Sequence, residues 1–230
     1  MHKAKPRWGE MGGRMTRFFL FDLDGTVLDT LGTIAYYANG ALVKNGVEPI
    51  EKEQYKYLVG RGIANLVRSM LEYRSVYSDE LYERVYHDYD TAYNADVAYG
   101  TVIYPEMKET LDALRARGCR LAIVSNKPDF AARTVVNATF GEGYFDFVTG
   151  QKEGAPLKPD PTVVNAVIDF FGAERAECVY VGDTGGDMRT AKNAGVRAVG
   201  VLWGFRDREE LKENGADLLL SGARELLDIE

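Results

Sequence analysis

From Arg17 onward the chain alternates between short unbroken apolar runs and amphipathic stretches of helical period. The first run, Phe18-Phe19-Leu20-Phe21, stops abruptly at Asp22-Leu23-Asp24-Gly25-Thr26. An apolar run this short, bounded by Asp and Gly, predicts a strand buried on both faces. Leu121 to Val124, Phe145 to Val148, Val179 to Val181 and Ala198 to Leu202 repeat the pattern, and Leu218 to Leu220 is a weaker sixth run. Between them the period turns helical. Glu106 to Arg117 is stopped by Gly118, Pro161 to Phe171 lies between an Asp160 N-cap and Gly172, and Asp187 to Asn193 precedes Gly195. Such alternation implies right-handed crossovers and a parallel sheet covered on both sides. The expected fold class is α/β, with a doubly wound, Rossmann-like parallel-sheet core.

Residues from about Thr30 to Tyr99 break this rhythm: helical periods continue but no strand-like run appears, and Gly46, Pro49, Gly60 and Gly62 punctuate the stretch. The expected organisation is a flexible tail over 1–15, the α/β core over 16–29 and 100–230, and an all-helical insertion over 30–99. Tyr82, Tyr86, Tyr89 and Tyr93 fall on one helical stripe. Two readings stay open for it, the packing face of a helical bundle and the aromatic wall of a substrate pocket.

Composition narrows the class. Of 230 residues, 46% are hydrophobic and 27% charged, the balance of a globular protein, and the net charge of -7 argues against general nucleic-acid binding. No apolar stretch approaches the roughly 20 residues that span a bilayer. Met1 to Arg14 carries Lys3, Lys5, Arg7 and Arg14 without the apolar segment of a secretory signal, so Met11 or Met15 could equally be the natural start. Cys119 and Cys178 head two apolar runs and read as reduced core thiols of a cytoplasmic protein rather than a disulfide scaffold.

In an open parallel sheet, ligands bind beyond the carboxyl ends of the strands. Three strand ends here carry Asp22-Leu23-Asp24-Gly25-Thr26, Ser125-Asn126 and Asp183-Thr184-Gly185-Gly186-Asp187, and Lys158 lies in a turn-rich segment. Up to four carboxylates would then converge against one lysine, a cost of several kcal/mol unless protons or a cation neutralise it. Oxygen-only ligands without Cys or His favour a hard ion, Mg²⁺ before Ca²⁺. Thr26, Ser125 and Lys158 add hydroxyl donors and positive charge, which suits an oxygen-rich anion such as a phosphoryl group. His2 and His87 lie away from these strand ends, so no serine or cysteine triad can assemble and a carboxylate is the remaining nucleophile type. Neither the Walker loop nor G-x-G-x-x-G is present.

These residues resemble the haloacid dehalogenase superfamily. Asp22-Leu23-Asp24-Gly25-Thr26-Val27 resembles its first motif, Ser125 its second, Lys158 its third, and Gly182-Asp183 with Asp187 its fourth. Val59-Gly60-Arg61-Gly62, Lys158-Pro159-Asp160-Pro161 and Trp203-Gly204-Phe205 resemble the phosphoglycolate phosphatase-like branch. The resemblance implies that the helical insertion is a small cap over the core. It implies a phosphatase in which Asp22 becomes an aspartyl-phosphate and Asp24 serves as acid and then base. Mg²⁺ would be held by Asp22, the Asp24 carbonyl and Asp183, with support from Asp187. Thr26, Ser125, Asn126 and Lys158 would bind the phosphoryl oxygens, and Arg61 a second anionic group of a small phosphorylated substrate. Asp24 weakens a dehalogenase or phosphonate-hydrolase reading. Alternatives are a β-phosphoglucomutase-like enzyme, whose cap arginine is replaced here by Ile63, a pyrophosphatase or nucleotidase, or a non-enzymatic phosphate-binding module. Neither a nucleic-acid partner nor a membrane is expected.

Overall fold

The computed structural model describes residues 16–229, so the expectations about the 1–15 tail and its start sites lie outside the described residues. The first described elements are β1 (Phe18–Phe21) and a two-residue strand β2 (Leu28–Asp29). Helices α1 (Leu31–Lys44), α2 (Tyr55–Leu58), α3 (Ile63–Tyr73) and α4 (Asp79–Ala95) follow, then β3 (Val102–Ile103). Next come α5 (Met107–Ala116), β4 (Arg120–Pro128), α6 (Asp129–Phe140), β5 (Phe147–Gln151) and α7 (Thr162–Phe171). The chain closes with β6 (Cys178–Gly182), α8 (Gly185–Ala194), β7 (Arg197–Val201), α9 (Arg208–Glu213) and β8 (Leu218–Leu220).

Among the described residues six strands form one parallel sheet in the order β5-β4-β1-β6-β7-β8. The unbroken apolar runs follow from burial on both faces. Phe19, Phe21, Leu121, Ile123, Val179 and Val181 pack with Met107 and Leu111 of α5 and Val135 of α6. The alternate positions Leu20, Ala122, Val124 and Tyr180 pack with Val164 and Val167 of α7 and with Met188 and Ala191 of α8. Truncating Phe19 or Phe21 to Ala would cost about 3–5 kcal/mol, the range for large aromatic deletions in a core.

Helices α1 to α4 form the expected helical cap, inserted between β2 and β3, which pair antiparallel and tie the two connecting segments together. Leu31, Ile34, Val67, Val85 and Tyr93 of the cap belong to the same apolar cluster as one face of the sheet. The tyrosine stripe divides along its length. Tyr82 and Tyr86 pack ring against ring at 5.9 Å, whereas Tyr89 and Tyr93 stack at 5.4 Å and line a cavity facing the core. His87 is exposed on α4, and both cysteines are free thiols.

Boundaries depart from the sequence pattern where polar residues are buried. β4 does not end at Val124 but runs through Ser125, Asn126 and Lys127, all buried. β5 begins at Phe147 rather than Phe145. α8 starts two residues early because Thr184, whose side chain accepts from the Asp187 amide, is its N-cap. α6 and α9 had no counterpart in the expected pattern.

Candidate active site

The site forms where the sheet order reverses. β1 lies between β4 and β6, with Phe21 in register with Ile123 on one side and Val181 on the other. The next residues of all three strands therefore emerge on one rim, the position where doubly wound sheets bind ligands. Asp22 follows β1 directly, its amide bonded to Val181 O at 2.9 Å. Beyond it the chain turns tightly, with the Leu23 carbonyl accepting from Thr26, Val27 and Leu28.

Carboxylate oxygens of Asp22, Asp183 and Asp187 lie within 4.8 Å of one another, and all three residues are buried. Lys158 stands against them, its ammonium 2.7 Å from both Asp22 Oδ1 and Asp187 Oδ1. The Asp22 oxygen gains an ion pair there but not a hydrogen bond of good geometry. Burial raises the Asp22 carboxyl to about 7, Lys158 opposing the shift and Asp187 adding to it. Burial likewise holds Asp183 well above the usual carboxylate range, reinforced by Asp187 and Asp22. Burial works against the charge on Lys158, yet Asp187 and Asp22 outweigh it and keep the ammonium firmly protonated. Three acidic groups with one lysine leave the cluster short of positive charge.

Each carboxylate is held differently. Asp183 accepts from Thr26 Oγ1 at 3.2 Å and from the Phe205 amide at 2.8 Å. Gly25 and Gly204 permit this enclosure, because a Cβ at either would overlap the Asp183 side chain, and Gly25 has φ +86°. Asp187 Oδ1 accepts from Lys158, while Oδ2 accepts the Thr184 amide and hydroxyl at 3.0 and 2.6 Å; the nearby Tyr180 hydroxyl gives its single proton to Val124 O at 2.9 Å. Those three donors take most of the acceptor capacity of the carboxylate. Asp22 and Asp183 keep free lone pairs, so an oxygen-ligated hard cation fits between them.

The structure separates the remaining expected site residues. Ser125 and Lys158 line the cavity with Asp22 and Asp24. Thr26, expected to contact phosphoryl oxygens, is fully buried, does not line the cavity and donates to Asp183 instead. Asn126 lines the cavity, but its amide is taken by backbone. Its Oδ1 accepts from the Lys158 amide at 2.9 Å and its Nδ2 donates to Gly60 O at 2.9 Å, joining the lysine loop to the cap. Arg61 is exposed and does not line the cavity, although Gly60 and Gly62 on either side of it do.

Asp24 brings in a residue the sequence reading missed. Its carboxylate does not join the other three. Oδ1 accepts from Thr30 Oγ1 at 2.7 Å, and the Lys127 ammonium lies 2.9 and 3.1 Å from the two oxygens. The Lys127 side chain is only 4% exposed, deep enough to matter. The available signal was spacing: Lys127 stands two residues past Ser125, on the same side of a strand that continues.

A parallel sheet with buried carboxylates at its switch point, a lysine between two of them and a helical cap above defines an α/β enzyme with an acidic, oxygen-donor centre. Comparison with known proteins gives the family. The haloacid dehalogenase-like hydrolase model matches residues 19–201. A phosphoglycolate phosphatase of Aquifex aeolicus is 33% identical over 189 residues, covering 82% of this chain and 86% of its own. One from Pseudomonas fluorescens is 31% identical over 220 residues, covering 94% and 80%. A crystal structure of a candidate phosphoglycolate phosphatase from Lactobacillus delbrueckii superposes with a TM-score of 0.87 at 29% identity, covering 93% of this chain and 97% of that one. A candidate β-phosphoglucomutase from Thermotoga maritima shares the fold at a TM-score of 0.70 but only 20% identity, over 92% and 97%. The chain belongs to the haloacid dehalogenase-like hydrolase family.

Proposed function

We propose that this chain is a Mg²⁺-dependent phosphatase that hydrolyses a small phosphoglycolate-like phosphomonoester through an aspartyl-phosphate on Asp22. The observation that carries the reading is the buried Asp22 carboxylate, 2.7 Å from Lys158 and grouped with Asp183 and Asp187 at the switch point. The phosphoglycolate phosphatase relatives support the substrate class. The cavity above Asp22 supports a small substrate, at about 70 Å³.

An Asp22 oxygen attacks phosphorus as the bond to the leaving oxygen breaks, and Asp24 gives that oxygen a proton. Water then attacks the aspartyl-phosphate, Asp24 takes the water's proton, and phosphate departs with Asp22 restored. Lys158 and Ser125 face the phosphoryl oxygens. Lys158 also restrains the Asp22 carboxylate. Asp22, Asp183 and the Asp24 carbonyl would hold Mg²⁺, and Asp187, engaged by Lys158 and by the Thr184 amide and hydroxyl, acts by fixing Lys158. When bound, the ion offsets the negative charge of nucleophile and phosphoryl group together. The cap, over 30–99, excludes bulk water while it covers the site.

The test is phosphate release from phosphoglycolate, pyrophosphate, nucleoside monophosphates and hexose 1-phosphates, with Mg²⁺ and with EDTA. The reading expects metal-dependent release with the highest kcat/KM on phosphoglycolate-like esters. Isomerisation of a hexose 1-phosphate without free phosphate would replace it with a mutase.

A further inference from the structure

We propose that Lys127 is a positioning residue for the reaction, fixing the Asp24 carboxylate so that its Oδ2 oxygen faces the leaving group. This rests on the reading of Asp24 as the acid–base residue. An aspartate carboxyl rotates broadly about its last torsion, so one donor alone does not set which oxygen meets a substrate. Here the donors are unequal. Oδ1 receives Thr30 at 2.7 Å and Lys127 at 2.9 Å, whereas Oδ2 receives only Lys127, at 3.1 Å. Oδ1 is fully engaged, and Oδ2 keeps a lone pair for the cavity that Asp24 lines.

Lys127 is itself fixed from two sides. Its amide donates to Ser125 Oγ at 3.2 Å, and a Cβ on Gly150 would overlap its carbonyl, so the neighbouring strand presses close against its backbone. Its ammonium lies 5.0 Å from the centre of the Tyr93 ring on α4, within cation–π range. Thr30 immediately precedes α1. Both groups that hold Asp24 are thus connected to the cap, one through a ring contact and one through the chain. The acid–base oxygen is aligned while the cap covers the cavity.

Phosphoglycolate and acetyl phosphate test this, because an alkoxide leaving group needs a proton and acetate does not. kcat/KM reports only the steps through leaving-group departure, so slow hydrolysis of the intermediate does not enter. Lys127→Met should lower kcat/KM on phosphoglycolate about 100-fold, the scale of losing a positioned proton donor. It should leave acetyl phosphate within about threefold, and Lys127→Arg should recover much of the loss. Thr30→Val, which removes only the hydroxyl at Oδ1, should show the same selectivity at smaller size and carries the test if Lys127→Met does not fold. Equal losses on both substrates, or none, while Asp24→Asn remains selective for phosphoglycolate, would overturn the role of Lys127. An unselective Asp24→Asn enzyme would overturn the acid–base reading itself, and this inference with it.

Discussion

Lys158 places its ammonium 2.7 Å from Asp22 Oδ1, in a site where that lysine side chain is only 8% exposed. The same ammonium is shared with Asp187. Removing one partner of a buried ion pair leaves uncompensated charge, typically at a cost of 3–5 kcal/mol. Lys158→Met should therefore lower unfolding free energy by about 3 kcal/mol at pH 7.5 in urea titrations and abolish turnover. The stability loss should shrink at pH 5, where protons can neutralise the carboxylates.

Metal-free stability should fall with rising pH across the range in which Asp22 and Asp183 titrate. Both bind protons more tightly when folded, Asp22 moving from 3.8 to about 7. Their stabilising contribution is complete below 3.8 and is lost as pH rises through the folded value. A dication replaces the missing protons. Mg²⁺ should accordingly raise Tm more at pH 7.5 than at pH 5, by at least about 3 °C, the shift of roughly 1 kcal/mol in a chain this size. Equal shifts at both pH values would contradict the charge balance described here.

Asp183 and Asp187 should separate as metal ligand and support. Asp183→Asn removes one of three crowded carboxylates, so the metal-free Tm should stay within about 3 °C of the parent while the Mg²⁺ response disappears. Asp187→Asn weakens the arm of the α8 capping box in which Asp187 Oδ2 accepts from Thr184, and the anchor of Lys158. It should lower metal-free stability by about 1–2 kcal/mol and keep part of the Mg²⁺ response, as read by thermal melts with and without the ion.

Gly25→Ala should damage fold and site together. Its φ of +86° disfavours any side chain, and the new methyl would press into Asp183. A loss of about 2 kcal/mol, within the range for strained backbone, and a weakened Mg²⁺ response are expected from paired melts.

The sheet and its acidic rim were legible because their signals are local. Phe18-Phe19-Leu20-Phe21 could be read as a buried strand since Phe19 and Leu20 face opposite helical layers. Asp22 and Asp183 could be placed together since strand ends of a doubly wound sheet share an edge. Thr26, Asn126 and Lys127 were not legible in the same way. Whether Thr26 faces a phosphate or Asp183, and whether Asn126 faces a ligand or Gly60, depends on how loops from distant parts of the chain meet. Lys127 was hidden by a strand that stays buried after turning polar at Ser125. The split in the tyrosine stripe was equally invisible, because the period of α4 gives one face and only packing shows that Tyr89 and Tyr93 reach the cavity.

Rapid acid quench of the enzyme turning over phosphoglycolate with Mg²⁺, followed by peptide mass spectrometry, addresses the nucleophile itself. One phosphoryl group is expected on the peptide carrying Asp22, absent in Asp22→Asn, which should stay folded while losing roughly 10³-fold or more in kcat. Full-rate turnover by Asp22→Asn, or a phosphoryl group on any other side chain, would contradict Asp22 as the nucleophile.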